Sequence, residues 1–184
     1  SQLAFARTAP AAEPVEVRRV GTQRGVACTA RWAPSQYQQE SHDSTGSLEA
    51  FFSMVAAQVA NPERLAAVGA TGLASNTDDP AFDRIARLAS RLLGAPFGFV
   101  TLVDDHHSNW LACVGMPSDD RSERHTRVEA SFCQYVVGLG DVLLIDDARS
   151  DARTRHNPSI ESMGVVAWAG APLRSTEGDV LGTV

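Results

Sequence analysis

Apolar and polar positions along the chain change their period twice. Near Ser47, Leu48, Phe51, Phe52, Val55 and Val59 fall at helical spacing, so residues 47–60 are expected to form an amphipathic helix with Ser47 as its N-cap. Asn61-Pro62 can cap and open a second short helix over 62–68, ended by Gly69 and Gly72. Asp79 then supplies a cap and Pro80 fits the first helical position. In that third helix, 80–93, Phe82, Ile85, Leu88 and Leu92 form the expected buried stripe, with Ala86 and Ala89 beside it. Gly94 and Pro96 end it.

After residue 96 the chain reads as short strands. Residues 97–103 are continuously apolar, as in a strand buried on both faces. Residues 108–114 are its expected antiparallel partner, across a polar turn at Asp104-Asp105-His106-His107. Further strands are expected at 142–145, 165–173 and 180–184, the last two joined by the turn Thr176-Glu177-Gly178-Asp179. A helix is expected at 130–137 and a short helical piece at 150–156. The charged stretch 121–128 receives no assignment. This order gives an α+β fold, an antiparallel sheet of about five strands flanked by helices, with helix 80–93 packed on it.

Residues 1–46 differ. They show no sustained period beyond a short strand around 15–20, and read as a flexible leader. Five arginines against four carboxylates leave +1 there, so the overall −6 leaves −7 for the rest. That balance argues against free nucleic acid as a partner. All sixteen basic residues are arginine, which points to genome composition, since no single function demands it. No apolar run spans a bilayer. Three cysteines without C-x-x-C spacing (Cys28, Cys113, Cys133) argue against a disulfide framework or a zinc cage and for a reducing, cytoplasmic setting. Adjacent His106 and His107 in extended chain point to opposite sides, so a shared metal ion is not expected.

The ordered set Asp79-Pro80-Ala81-Phe82-Asp83-Arg84-Ile85, Phe99-Val100-Thr101-Leu102-Val103-Asp104, Trp110, Ser131-Phe132-Cys133, Ile145-Asp146-Asp147-Ala148-Arg149-Ser150-Asp151, Asn157-Pro158, Ala169-Gly170-Ala171-Pro172-Leu173 and Val180-Leu181-Gly182-Thr183-Val184 resembles the GAF domain family. The resemblance implies a sensor domain over 61–184, after a leader (1–46) and a linker helix (47–60). It implies an antiparallel sheet with terminal helices on one face and a ligand pocket on the other. Family ligands include cyclic nucleotides, haem, bilins and small metabolites. The module regulates kinases, phosphatases, cyclases or transcription regulators, so an output domain in the same polypeptide is expected, with catalysis there and not here. In the family pattern the last strand runs on and a helix follows it. By that comparison the strand ending at Val184 is incomplete.

The residues implied as ligand-contacting are Trp110, Phe132, Cys133, Asp147 and Trp168. Each has a plainer role beside that one. Strand tryptophans are mostly core, and a free cysteine is usually a small buried hydrophobe. Asp147, with Asp146 and Asp151, suits a turn in which carboxylates bond backbone amides and cap a short helix. Cys133 is followed by Gln134, where bilin-binding members carry His. A redox enzyme of the methionine sulfoxide reductase type, using Cys113 or Cys133, is the alternative to a regulatory module. The linker helix would expose Phe51, Phe52 and Val55 unless it packs on the sheet or pairs with a second copy, and that pairing would make a homodimer.

Overall fold

The computed structural model describes residues 16–21, 26–31, 45–73, 79–116 and 124–184. They fall into two compact units, Ser1–Glu40 and Ser41–Val184. Within the first, β1 (Glu16–Gly21) and β2 (Val26–Arg31) pair antiparallel, with Val17 opposite Ala30 and Arg19 opposite Cys28. β1 accounts for the strand expected around 15–20. The flexibility expected of the remaining leader residues up to 44 lies outside the described residues.

The second unit is α+β. Its elements are α1 (Thr45–Val59), α2 (Pro62–Ala70), α3 (Pro80–Leu93), β3 (Gly98–Val103), β4 (His107–Val114), β5 (His125–Arg127), α4 (Cys133–Leu139), β6 (Leu143–Ile145), α5 (Ser159–Ser162), β7 (Trp168–Gly170), β8 (Pro172–Arg174) and β9 (Val180–Thr183). Five strands form one antiparallel sheet in the order β5-β4-β3-β9-β8, and β6 pairs with β7 separately.

The helix caps follow local chemistry. Asn61 accepts from the backbone N–H of Glu63 and Arg64 at 2.9 and 3.2 Å, and Asp79 accepts from Ala81 N–H at 2.8 Å. Each cap precedes a proline at the first helical position, where a missing N–H costs nothing. Gly94 ends α3 in the left-handed region at φ 62°. α1 begins at Thr45, two residues before the expected cap at Ser47.

The phase of α3 differs from expectation. Ala86 is fully buried against the sheet, whereas Ile85, Leu88 and Leu92 are 40, 57 and 71 % exposed. The cause lies in the partner strand. A Cβ on Gly98 would come within 3.1 Å of Ser90 Cβ, and Gly98 also lies against the Ala86 carbonyl. The helix approaches the sheet so closely that only small residues fit between them, and the large aliphatic residues are displaced to a flank.

Strand membership also differs. The single strand expected at 165–173 is two, β7 in the small sheet and β8 in the large one. The chain changes sheets at Ala171, whose N–H and C=O both pair with Val184 at 2.9 Å. The strand at 142–145 therefore belongs to the small sheet, and β5, from the unassigned charged stretch, takes its place in the large one. The region 150–156 is a run of turns, with the short helix α5 following it.

Two clusters fill the core on either face of the sheet. Val100, Leu102, Leu111, Ala112 and Leu181 pack with Ala86 and Val68. Val103, Val128, Phe132, Val136, Leu143 and Ile145 pack with Val55 and Val59 of α1. α1 thus covers α4, and a Cβ on Gly138 would meet Val55 Cγ2 at 2.5 Å. That resolves the fate of Val55 and of Phe51, which packs against the same cluster, while Phe52 stays 43 % exposed.

Candidate functional site

The strand pleat sorts the residues beneath α4. Cross-strand pairs share a face, so Thr101 opposite Trp110 and Val103 opposite Ser108 lie together on the α4 side of the sheet. Thr183, opposite Thr101, joins them from β9, and Thr126, opposite Ser108, from β5. A register shift between Val100 and Thr101 sets this parity. Phe99 meets Trp110 edge-on, with ring centroids 5.1 Å apart.

Cys133 opens α4 directly above. Its backbone N–H donates to Ser131 Oγ at 3.1 Å, which fixes the start of the helix. Thr183 Oγ1 donates to Cys133 Sγ at 3.1 Å, Thr101 Oγ1 lies 3.5 Å from the same sulfur, and the two hydroxyls are 3.0 Å apart. The thiol is buried, at 9 % exposure for the residue.

Phe132 stacks on Trp168 at 5.8 Å and meets Tyr135 edge-on at 6.0 Å. The Trp168 ring lies over the bare Cα of Gly170, two residues on, where a side chain would collide with the indole. Tyr135 receives a hydrogen bond from Asn157 Nδ2 at 3.2 Å, and Asn157 Oδ1 accepts from Ser159 N–H at 2.9 Å. Burial pushes the Tyr135 hydroxyl above its usual pKa. Asn157 therefore ties α5 to α4, which gives the Asn157-Pro158 motif a local purpose.

Among the described residues, one buried side-chain polar atom on this face has no partner. Ser108 is fully buried, and its Oγ makes no hydrogen bond. A buried hydroxyl without a partner costs stability, so such groups need an explanation.

Of the five residues implied from sequence, the structure brings Phe132 and Trp168 into contact and sets Cys133 next to Phe132 in the chain. Trp110 lies on the sheet face below, across from the threonine that reaches the thiol. Asp147 sits in the turn after β6. Its carboxylate accepts from the Arg149 backbone N–H and Nε, both at 3.0 Å, and from Nη2 at 3.2 Å. Arg149 holds the Asp147 carboxyl below its usual range. Asp151 repeats the arrangement with Arg153, at 2.8 Å from the backbone N–H. Burial pushes the Asp151 carboxyl up, and the bonds from Arg153 more than offset this, leaving it lowered. These carboxylates serve the turns they occupy. Sequence reasoning missed Thr101, Ser108 and Thr183, because facing within a strand cannot be assigned before the bulge and register are known.

The tetrad Asp104-Asp105-His106-His107 forms the expected hairpin turn. Asp104 Oδ1 accepts from His106 and His107 N–H at 2.7 and 2.6 Å, and Oδ2 from Asn109 Nδ2 at 2.7 Å. Among the described residues no group of three His, Cys, Asp or Glu is placed to hold a metal ion.

A cleft of about 340 Å³ lies elsewhere, between the α1–α2 junction, the end of α4 and the β8–β9 turn. Its two arginines are bonded to main-chain carbonyls. Arg64 reaches Gln58, Val59 and Val103, and Arg174 reaches Gly140 and Gly178. Both cations sit at helix C-termini, where the dipole favours positive charge. The cleft reads as a seam of the fold.

The sequence of residues 79–184 matches the family model described as GAF domain. No curated protein matches the chain.

Proposed function

The chain belongs to the GAF domain family, and from that premise we propose that it is a cytoplasmic, small-molecule-sensing regulatory module of a longer signal-transduction protein, whose catalytic output lies in another domain. The observation that carries the reading is Ser108 Oγ, buried without a partner on the sheet face below α4. A bound molecule that hydrogen-bonds this hydroxyl removes the cost of leaving it unpaired. Trp110, with Phe99 against it, shares this sheet face, and Phe132 next to Cys133 stacks on Trp168, which is aromatic surface of the kind ligand sites commonly carry. A ligand entering here would act on α4, and through Gly138 and Val55 on α1, so its binding energy could bias the position of a terminal helix. No helix among the described residues is long and apolar enough to cross a membrane.

The test is a thermal-shift screen of nucleotides, cyclic nucleotides and small aromatic metabolites on wild type and Ser108→Ala. The variant alone should be more stable by about 1–3 kcal/mol, the cost of an unsatisfied buried hydroxyl. A ligand that raises the melting temperature of wild type should lose most of that effect on the variant. A ligand that stabilises both proteins equally would place binding away from Ser108.

One observation favours the redox reading: two hydroxyls converge on Cys133 Sγ. Burial of the thiol weighs against it. Under the sensing reading, Cys133 in folded protein reacts with a thiol reagent far more slowly than in denaturant. Rapid labelling of native Cys133, with sulfoxide reduction abolished by Cys133→Ser, would instead support an enzyme.

A further inference from the structure

The pairing of β4 with β5 brings together two side chains that the site beneath α4 does not use. Ser108 and Thr126 are partners on the α4 side of the sheet, so His107 and Asn109 on β4, and His125 and Arg127 on β5, face the other way. His107 lies opposite Arg127 and Asn109 opposite His125, which makes the two histidines diagonal neighbours on one face. Their ring centroids are 5.0 Å apart, with the ring planes at 90°. His125 is exposed and His107 half-buried, so neither ring serves the core.

Two imidazoles held across a strand pair form a chelating unit. Neutral imidazole nitrogen suits Zn²⁺, Cu²⁺ and Ni²⁺. Metal–nitrogen bonds of about 2.0–2.1 Å at a near-tetrahedral angle put two coordinated rings about 5 Å apart, centroid to centroid. The backbone already provides that separation, and the exposed ring of His125 has room to turn a nitrogen toward the ion. The surrounding charge suits a cation. Asn109 Nδ2 donates to Asp104 Oδ2 at 2.7 Å, which holds a carboxylate beside this face, and Asp104 feels the charge of His107. Asp105 adds a second carboxylate, 3.6 Å from His106 Nε2. The opposing cations are Arg124 and Arg127, and Arg127 is turned toward Glu129 at 3.6 Å with its side chain 81 % exposed, where solvent screens it. Among the described residues no third histidine, cysteine or carboxylate completes a cage, so water fills the remaining positions.

We propose that His107 and His125 form a two-histidine site for a divalent transition metal ion such as Zn²⁺, which clamps the edge strand β5 to β4. β5 is three residues long and has one neighbour in the sheet, so a bridge at this point changes how firmly the edge is held. The site lies on the opposite side of the sheet from Ser108 and does not depend on a ligand there.

The experiment uses the full 184-residue chain, freed of metal with a chelator, and Zn²⁺ as the probe. Titration calorimetry reads affinity and stoichiometry, and thermal melts read the clamp. The expected result is one ion per chain and a higher melting temperature in Zn²⁺ than in chelator. His107→Asn and His125→Asn should each weaken binding about tenfold or more and remove the rise. His106→Asn and Cys28→Ser should leave both readings unchanged. Mg²⁺ should not compete, since it prefers oxygen ligands. Equal melting temperatures in chelator show that the variants keep the fold, and the exposed His125 decides the matter if His107→Asn melts low. The proposal is overturned if half-saturation needs about 1 mM Zn²⁺ or more, which means an adventitious ion only. It is equally overturned if binding survives both histidine substitutions, or if His106→Asn or Cys28→Ser removes it. One ion per two chains would assign the metal to a contact between copies and overturn it as well.

Discussion

Ala86 has no exposed surface, while Leu88, two residues along the same helix, is more than half exposed. The size of the side chain decided the outcome, because Gly98 and Ser90 bring helix and sheet into near contact. Leu88→Ala should therefore change stability by less than about 0.5 kcal/mol, as at surface positions. The 2–5 kcal/mol loss typical of a buried leucine would contradict this placement. Ala86→Leu should instead cost about 1–3 kcal/mol by overpacking, and denaturant melts of the two variants give the comparison. Asp104 supplies a pH test. Burial pushes its carboxyl up, and the backbone bonds from His107 and His106 more than offset it, so the net pKa falls below the usual 3.8. A lowered folded pKa stabilises above the unfolded value and is lost as pH falls through the folded one. The melting-temperature gap between wild type and Asp104→Asn should thus be full at pH 6–7 and close as pH drops below about 4. A gap that persists at pH 2 would mean the carboxylate is not responsible.

At the scale of elements, the legible features were those with local causes. Asn61-Pro62 and Asp79-Pro80 placed two helix starts correctly, because a cap is completed within three residues. The β8–β9 turn was equally local, closed by Ser175 N–H on the Asp179 carbonyl at 2.9 Å. What stayed hidden depended on partners distant in sequence. β5 is three residues of charged and polar chain and exists as a strand by pairing with β4. The change of sheet at Ala171 leaves no mark in a run of apolar residues. The same blindness covered the site. Phe132 and Cys133 were legible as types in a motif and Trp168 as an aromatic in a strand, but the facing of Ser108, Thr101 and Thr183 depends on a bulge that sequence does not announce. The α1–α4 contact makes one element-scale prediction. Gly138→Ala should cost about 1–3 kcal/mol by driving a methyl group into Val55. Gly69→Ala, where the added Cβ meets nothing within 4 Å, should cost nothing. Equal effects would mean that α1 does not pack as described.

At the scale of the molecule, Arg64 joins parts that are remote in the chain. Its guanidinium donates to Gln58 and Val59 at the end of α1, at 3.0 and 2.6 Å, and to Val103 at the end of β3, at 2.6 Å. Val180, at the start of β9, lies at 3.4 Å. Burial lowers its pKa from the usual value, and Asp104 and Asp105 oppose that shift. Displacing the Arg64 guanidinium of α2 therefore releases the last turn of α1 and the ends of two central strands in the same event. The consequence is kinetic. Amides in the last turn of α1 and the N-terminal half of β9 should exchange with solvent hydrogen as one cooperative unit, with a shared opening free energy. Arg64→Met should uncouple them, speeding α1 exchange by at least about tenfold while leaving the protection of β9 nearer its original value, since each charge-assisted bond contributes about 1.5–3 kcal/mol. Independent exchange of the two segments in wild type would show that the guanidinium binds them without making them open together.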